Sequence, residues 1–316
     1  DGAVSLDIAT LAGLDLGGST LAKVTFAACF VAFALKAPMV PAHTWLPAAA
    51  AQSTPGGAAL MVGVLDKLGT FGMVRLCLEL FPGETRWATP VVAVLALVSI
   101  FYGALAALGQ KNIMRLVAFT SISHFGFMVL GVFALTTPAL TGSIFYMVNH
   151  GLATGALFLL VGCLIKRRGS ADVAAFGGVA KVAPVAAGFT LLAGLAGCAL
   201  PGTSSFVSEF LVMSGTWPRF HVVAGVAAGG TIFAALYILW LYQRMMTGPV
   251  TPEVEAQVTE LTWRERLAVV PLLVLILGLG FFPRPALDVI EPTSEAILAQ
   301  AGAADLPPVI DLEEVP

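Results

Sequence analysis

Long apolar runs alternate with short polar links along the chain, and eight of them read as membrane elements: 21–47, 56–80, 90–108, 112–134, 139–165, 182–215, 220–246 and 265–282. Each is near or above the ~20 residues that cross a bilayer as a helix. Two are interrupted by proline, 21–47 at Pro38 and Pro41 and 182–215 at Pro201-Gly202. Residues 1–20 are rich in Gly, Asp and Ser and read as a loop, and 247–263 as a longer polar loop carrying Glu253, Glu255 and Glu260. The tail 283–316 is acidic and punctuated by proline, with a short interfacial helix expected at 286–301 and disorder at 303–316. The pattern predicts an all-α polytopic membrane protein with two discontinuous transmembrane helices.

Composition agrees. Of 316 residues 58% are hydrophobic and 11% charged, against about 25% charged in soluble domains, and the mean hydropathy is +0.92. The net charge of -3 carries no message about nucleic acid, and the absence of a basic patch interleaved with aromatics leaves nucleic acid out as an expected partner. Cys29, Cys77, Cys163 and Cys198 are isolated and form no C-x-x-C, which argues against a zinc or Fe–S site and makes them small packing residues. The chain starts at Asp1 with no charged-then-apolar signal before Leu21, so it reads as part of a longer protein or one whose beginning is unseen.

Lysine and arginine set the orientation. With the first helix entering from outside, inner positions hold Lys111, Arg115, Lys166, Arg167, Arg168, Lys181, Arg244, Arg264 and Arg266, and outer ones Lys23, Arg75, Arg86, Arg219 and Arg284. The positive-inside rule then places both ends of the chain outside the cytoplasm.

The candidate chemistry lies inside the apolar runs. Lys36 ends the first half-helix, where the dipole favours a cation. Lys67 lies near the middle of 56–80, where a lysine costs roughly 2.5–3.5 kcal/mol on insertion scales. Asp66 is ~100° around the helix from Lys67, so it needs another partner, either structural or facing a polar cavity. His124 shares a face with Thr120 and Ser121, and His150 with Tyr146 and Thr154; imidazoles beside hydroxyls suit a proton relay. Glu209 is the acidic residue of its span, with Ser205 on its face. His43 reads as a helix-break or channel-mouth residue and His221 as surface. Lys36, Lys67, His124, His150 and Glu209 suit moving a proton or cation; no nucleophile–base pair, phosphate cradle or metal-ligand cluster is legible. The two broken elements, each with a charge near its break, hint at the paired discontinuous helices of transporters with inverted repeats.

The run Lys36-Ala37-Pro38-Met39-Val40-Pro41-Ala42-His43-Thr44-Trp45-Leu46-Pro47 resembles the signature of the antiporter-like membrane subunits of respiratory complex I, NADH:quinone oxidoreductase. Arg115 to His124, Asn149-His150-Gly151 and Phe206-Val207-Ser208-Glu209-Phe210 are similar to that family's tenth, eleventh and broken twelfth helices. The resemblance implies an antiporter-like bundle in which this chain supplies helices seven to fourteen. It implies a central axis of Lys36, Lys67, His124, His150 and Glu209, supported by Asp66, His43, Thr120, Ser121 and Tyr146, with 21–80 as a channel half and 81–282 as the remaining bundle. A glutamate at 209 resembles the M-type, mitochondrial subunit 4-like, member.

The further implications are a proton translocase driven by quinone reduction elsewhere, no cofactor in this chain, and flavin, Fe–S clusters and quinone in partner subunits. L-type and N-type subunits and the lipid bilayer are the implied partners, in a bacterial cytoplasmic membrane. The chain departs from the family at Ala48 and Ala50, where an acid and a histidine are usual. Two other readings stay open, a subunit of a multi-subunit Na+/H+ antiporter or membrane-bound hydrogenase, and a structural membrane spacer.

Overall fold

The computed structural model describes residues 8–13, 18–303 and 305. Among these no strand forms, and one isolated bridge joins Asn112 and Asp172. Inside the expected N-terminal loop lies a short helix, α1 (Ile8–Ala12). Helix α2 (Thr20–Lys36) starts where the Ser19 hydroxyl accepts from the Ala22 amide at 3.1 Å. It stops because Pro38 disfavours helical geometry at Ala37 and offers no amide proton. The Val40–Pro41 peptide is cis, and α3 (Trp45–Gln52) follows. Helix α4 (Pro55–Leu78) opens with proline at its first position and a Thr54 cap, and contains two wide π-helical stretches, Met61–Leu65 and Met73–Leu78.

Helices α5 (Pro82–Leu108), α6 (Ile113–Phe133) and α7 (Thr137–Arg168) are long and packed side by side. Apart from Arg115 in its first turn, every residue of α6 is buried, as expected of the central post of a bundle. After α8 (Val179–Val182) the second broken element is formed by α9 (Pro184–Gly197) and α10 (Ser204–Thr216). The intervening turn holds Ala199 at φ 54 and Gly202 at φ 96. α11 (His221–Met246), α12 (Pro252–Gln257), α13 (Trp263–Phe281) and α14 (Arg284–Gln300) complete the fold.

Five helices, α4, α5, α6, α7 and α11, are long and apolar enough to cross a membrane, or six if α13 and α14 are one span bent by 71°. This is fewer than the eight elements expected. At ~1.5 Å per residue, α2 with 17 residues, α9 with 14 and α10 with 13 are each too short to cross alone. A helix does form where a short one was expected at 286–301, namely α14. Its end is tied to the first turns of α5 by Arg86, which donates to the Ala301 carbonyl at 2.6 Å and to that of Gly302. Asp305 accepts from the Thr137 amide at 2.8 Å. The polar link 247–263 is ordered too. It holds α12, and the Glu260 carboxylate accepts from the Val185 and Ala186 amides at the start of α9, at 2.7 and 3.0 Å. Nearby, Arg167 grips Glu265 with two bonds of 2.9 and 2.6 Å.

The apolar core is divided in two. One cluster takes Ile113–Ile122 of α6, Ala153–Leu164 of α7 and Ala234–Met246 of α11; the other takes Phe125–Phe133 of α6, Leu140 and Tyr146 of α7 and Ala227 of α11. Lys67, His124 and His150 fall between them, so a polar layer crosses the middle of the bundle.

Candidate functional site

Two close backbone contacts set the layer. A Cβ on Gly151 of α7 would stand 2.6 Å from the Gly63 carbonyl of α4, so these helices touch main chain to main chain. One helical turn along α4 from Gly63 is Lys67, and beside Gly151 is His150. A Cβ on Gly69 would stand 2.4 Å from the Ala37 amide, which seats the end of α2, and with it Lys36, against α4 near Asp66.

Asp66 and Lys67 diverge, as their angular separation requires. Asp66 is fully buried and faces Lys36, with 3.6 Å between Nζ and Oδ1; the Lys36 side chain is 38% exposed. That spacing is an ion pair without a hydrogen bond, and both Asp66 oxygens lack a hydrogen-bond partner. Lys36 also lies over the Trp45 ring at 5.5 Å, and Trp45 Nε1 donates to the Leu35 carbonyl at 2.8 Å. Trp45 thus seals the broken end of α2.

Lys67 points inward. Its Nζ donates to the Val62 carbonyl at 2.6 Å, within a π-helical stretch, and lies 2.6 Å from His150 Nδ1 and 5.0 Å from the centre of the Phe125 ring. An ammonium only donates, so beside a charged Lys67 the His150 Nδ1 accepts and its Nε2 carries the proton. That Nε2 meets Thr154 Oγ1 at 3.2 Å.

The rings of His150 and His124 are 5.1 Å apart, and the Tyr146 ring is 6.4 Å from the first and 6.0 Å from the second. Tyr146 donates to Glu209 Oε1. Asn149, beside His150, holds α10 in place by donating to the Ser204 carbonyl at 3.1 Å and to Ser208 Oγ at 2.7 Å. The five residues that the sequence singles out therefore sit in one layer, Lys36 at its exposed edge and Glu209 at its far side.

One expectation is corrected. Thr120 and Ser121 do not flank His124 with their hydroxyls. Both donate back to the Val117 carbonyl, at 2.8 and 3.2 Å, as buried helical hydroxyls commonly do. The partner of His124 is Tyr237 of α11, with 3.1 Å between Oη and Nε2. The Gly197 backbone at the end of α9 lies beside His124, yet no hydrogen bond to Nδ1 is closed. The partner of Glu209 comes from α7. His43 is buried against Tyr102 and Phe119, with ring centres 4.8 and 6.4 Å away, which fits the helix-break reading of the two. His221 is exposed beside Trp217.

Tyr237 is missed by sequence reasoning. Its signal was a tyrosine inside an apolar run, because a buried phenol needs a hydrogen-bond partner.

Orphaned buried atoms gather in and around the same layer: both Asp66 oxygens, His124 Nδ1, Asn149 Oδ1, Ser204 Oγ, Ser205 Oγ and Glu209 Oε2. Such atoms cost about 1–3 kcal/mol each when left unpaired, and here they are sites where the layer can take up a hydrogen bond or a proton. Among the described residues, no three His, Cys, Asp or Glu side chains converge as a metal-binding set.

Residues 3–234 match the family described as NADH:quinone oxidoreductase/Mrp antiporter, TM. The chain is 48% identical over 288 residues to NADH-quinone oxidoreductase subunit M of Mycobacterium tuberculosis, covering 91% of this chain and 52% of that one. It is 37% identical over 278 residues to NADH-ubiquinone oxidoreductase chain 4 of Marchantia polymorpha, covering 88% and 56%. Among solved structures it is similar to a chain of respiratory complex I from Thermus thermophilus with bound NADH, with a TM-score of 0.81 and 31% identity over 91% of this chain and 61% of that one. It shares the fold of a chain of the Mrp complex from Dietzia sp., with a TM-score of 0.86 and 23% identity over 94% and 63%. The chain spans about half the length of the curated relatives it matches, 52% and 56%.

Proposed function

Because the chain belongs to the NADH:quinone oxidoreductase/Mrp antiporter membrane family, we propose that it is the C-terminal part of an M-type subunit of a proton-pumping NADH:quinone oxidoreductase. One observation carries the reading: Lys67 Nζ sits 2.6 Å from His150 Nδ1 in a buried layer that continues to the Glu209 carboxylate. A lysine, two histidines and a carboxylate in sequence supply groups that take and release protons without bond-making elsewhere.

In this reading Lys67 passes a proton to His150, the proton crosses to His124, and Glu209 receives it before release. Lys36 and Asp66 set the field on Lys67, since moving Lys36 away from the buried carboxylate leaves that charge to act on its neighbour. Residues 21–80 form the entry half and 81–282 the rest of the path. Quinone reduction in partner subunits drives the cycle. Those partners carry the flavin, Fe–S clusters and quinone, and L-type and N-type subunits flank this one. The chain is a multi-pass protein of the bacterial cytoplasmic membrane, with both ends on the outer side.

The test is NADH-driven proton uptake in inverted vesicles, with NADH oxidation recorded in parallel, for Glu209→Gln. Coupled turnover is expected to fall about tenfold or more, the scale of a lost proton-transfer group, with the complex still assembled. Unchanged pumping overturns the reading. Copurification with Na+/H+ antiporter subunits, without a flavin-bearing arm, would assign the chain to the antiporter branch.

A further inference from the structure

We propose that Tyr237 is a proton-relay residue joining His124 to Glu209; the proposal rests on the proton-path reading above. Tyr237 belongs to α11, on a different element from each of the five polar residues of the layer, and is fully buried. Its hydroxyl does not bond back to its own helix as those of Thr120, Ser121, Thr190 and Thr216 do. It meets His124 Nε2 at 3.1 Å. Among the described residues, Tyr146 and Tyr237 are the two buried hydroxyls that meet a titratable side chain of another helix.

The relay answers a gap in the layer. His124 lies within ring contact of His150 and Tyr146, but the Tyr146 hydroxyl is committed to Glu209 Oε1. The hydrogen-bonded exit from His124 is therefore Tyr237. The second oxygen of Glu209, Oε2, is buried and unpartnered.

A phenol hydroxyl both accepts and donates. Protonated His124 gives its Nε2 proton to Tyr237 Oη while the phenol releases its own proton, through a bridging water, to Glu209 Oε2. One N–H bond breaks and one carboxyl O–H bond forms. The tyrosine is neutral before and after, and its hydroxyl turns back to reset. Tyr146 meanwhile holds Oε1, so the carboxylate presents a fixed oxygen to the arriving proton.

The experiment compares Tyr237→Phe, Tyr237→His and Glu209→Gln in the intact complex. It measures NADH-driven proton uptake, NADH oxidation and the solvent deuterium isotope effect on the coupled rate. Tyr237→Phe keeps the ring and removes the hydroxyl; it is expected to lower coupled turnover severalfold and to raise the isotope effect, because proton transfer then limits the cycle. Tyr237→His, which keeps a group that accepts and donates, is expected to recover a substantial part of the rate. Normal turnover in Tyr237→Phe with impaired Glu209→Gln overturns the relay and leaves the path. A slowed Tyr237→Phe with an unchanged isotope effect also overturns it, assigning Tyr237 to packing. If Tyr237→Phe fails to assemble, Tyr237→His decides, an inactive assembled complex counting against the relay. Normal pumping in both Tyr237→Phe and Glu209→Gln sinks the underlying reading itself.

Discussion

Lys67 and His150 come from helices α4 and α7, 83 positions apart in sequence, and meet nitrogen to nitrogen at 2.6 Å. Two basic groups at that distance cannot both hold their full complement of protons comfortably. The pair is therefore a place where a proton is easily shed. Lys67→Ala is expected to lower both NADH oxidation and proton uptake about tenfold or more, with the complex assembled on a native gel. Normal rates in that variant would make Lys67 structural and favour a spacer role.

The ion pair of Lys36 and Asp66 is asymmetric, because the carboxylate is buried and the ammonium partly in the open. Removing the cation strands a buried charge, a loss of about 3–5 kcal/mol for a fully buried pair; exposure and screening at Lys36 place it at the low end or below. Lys36→Met is thus expected to reduce the yield of assembled complex more than Asp66→Asn does. The double variant should recover assembly without recovering pumping. Undiminished yields for both single variants would show that the pair contributes nothing to stability.

Gly151 and Gly63 face each other with unequal room. A Cβ on Gly151 meets the Gly63 carbonyl at 2.6 Å, whereas one on Gly63 meets the Gly151 carbonyl at 3.4 Å. Overpacking of this kind costs typically ~1–3 kcal/mol. Gly151→Ala should lower the thermal midpoint of the complex and its coupled rate together, and Gly63→Ala should be mild. The reverse order would refute the close approach of α4 and α7.

Arg167 holds the far end of α7 to the start of α13 with two bonds to Glu265, and also donates to the carbonyls of Cys163 and Glu260 at 3.0 and 3.1 Å. A lysine cannot reproduce this planar fork. Arg167→Lys is expected to cost about 1.5–3 kcal/mol, the range for hydrogen bonds to charged groups, read as earlier heat inactivation with normal initial turnover. An unshifted inactivation curve would rule out the clamp.

The fold class was legible, and Lys36, Lys67, His124, His150 and Glu209 could be singled out as candidates, because an ionisable residue is conspicuous in an apolar run. Who meets whom was not. Thr120 and Ser121 share a helical face with His124, but a hydroxyl three or four residues along is nearer to its own helix carbonyl than to the imidazole. Tyr146 was grouped with His150 by spacing, and its hydroxyl goes instead to Glu209, because the partner of a side chain on one helix is set by packing against another. Tyr237 went unread since one tyrosine in an apolar run carries no periodicity. Hydropathy reports apolar length along the chain, whereas Pro38, Pro201 and the bend before Arg284 divide that length into shorter helices, so five or six helices are long and apolar enough to cross unbroken among the described residues.

The polar layer lies between two apolar clusters, one on each side of it along α6 and α7. On the proton-path reading, the residues that hold the bundle together also serve as its electrical insulation, with a low-dielectric plug on either side of the layer. Direction of travel then depends less on the lysine, histidine and glutamate than on which plug loosens first. On that reading Phe119 and Ile122 on one side of His124, and Phe125 and Phe133 on the other, are the positions where a small residue is expected to let protons leak before it unfolds the protein.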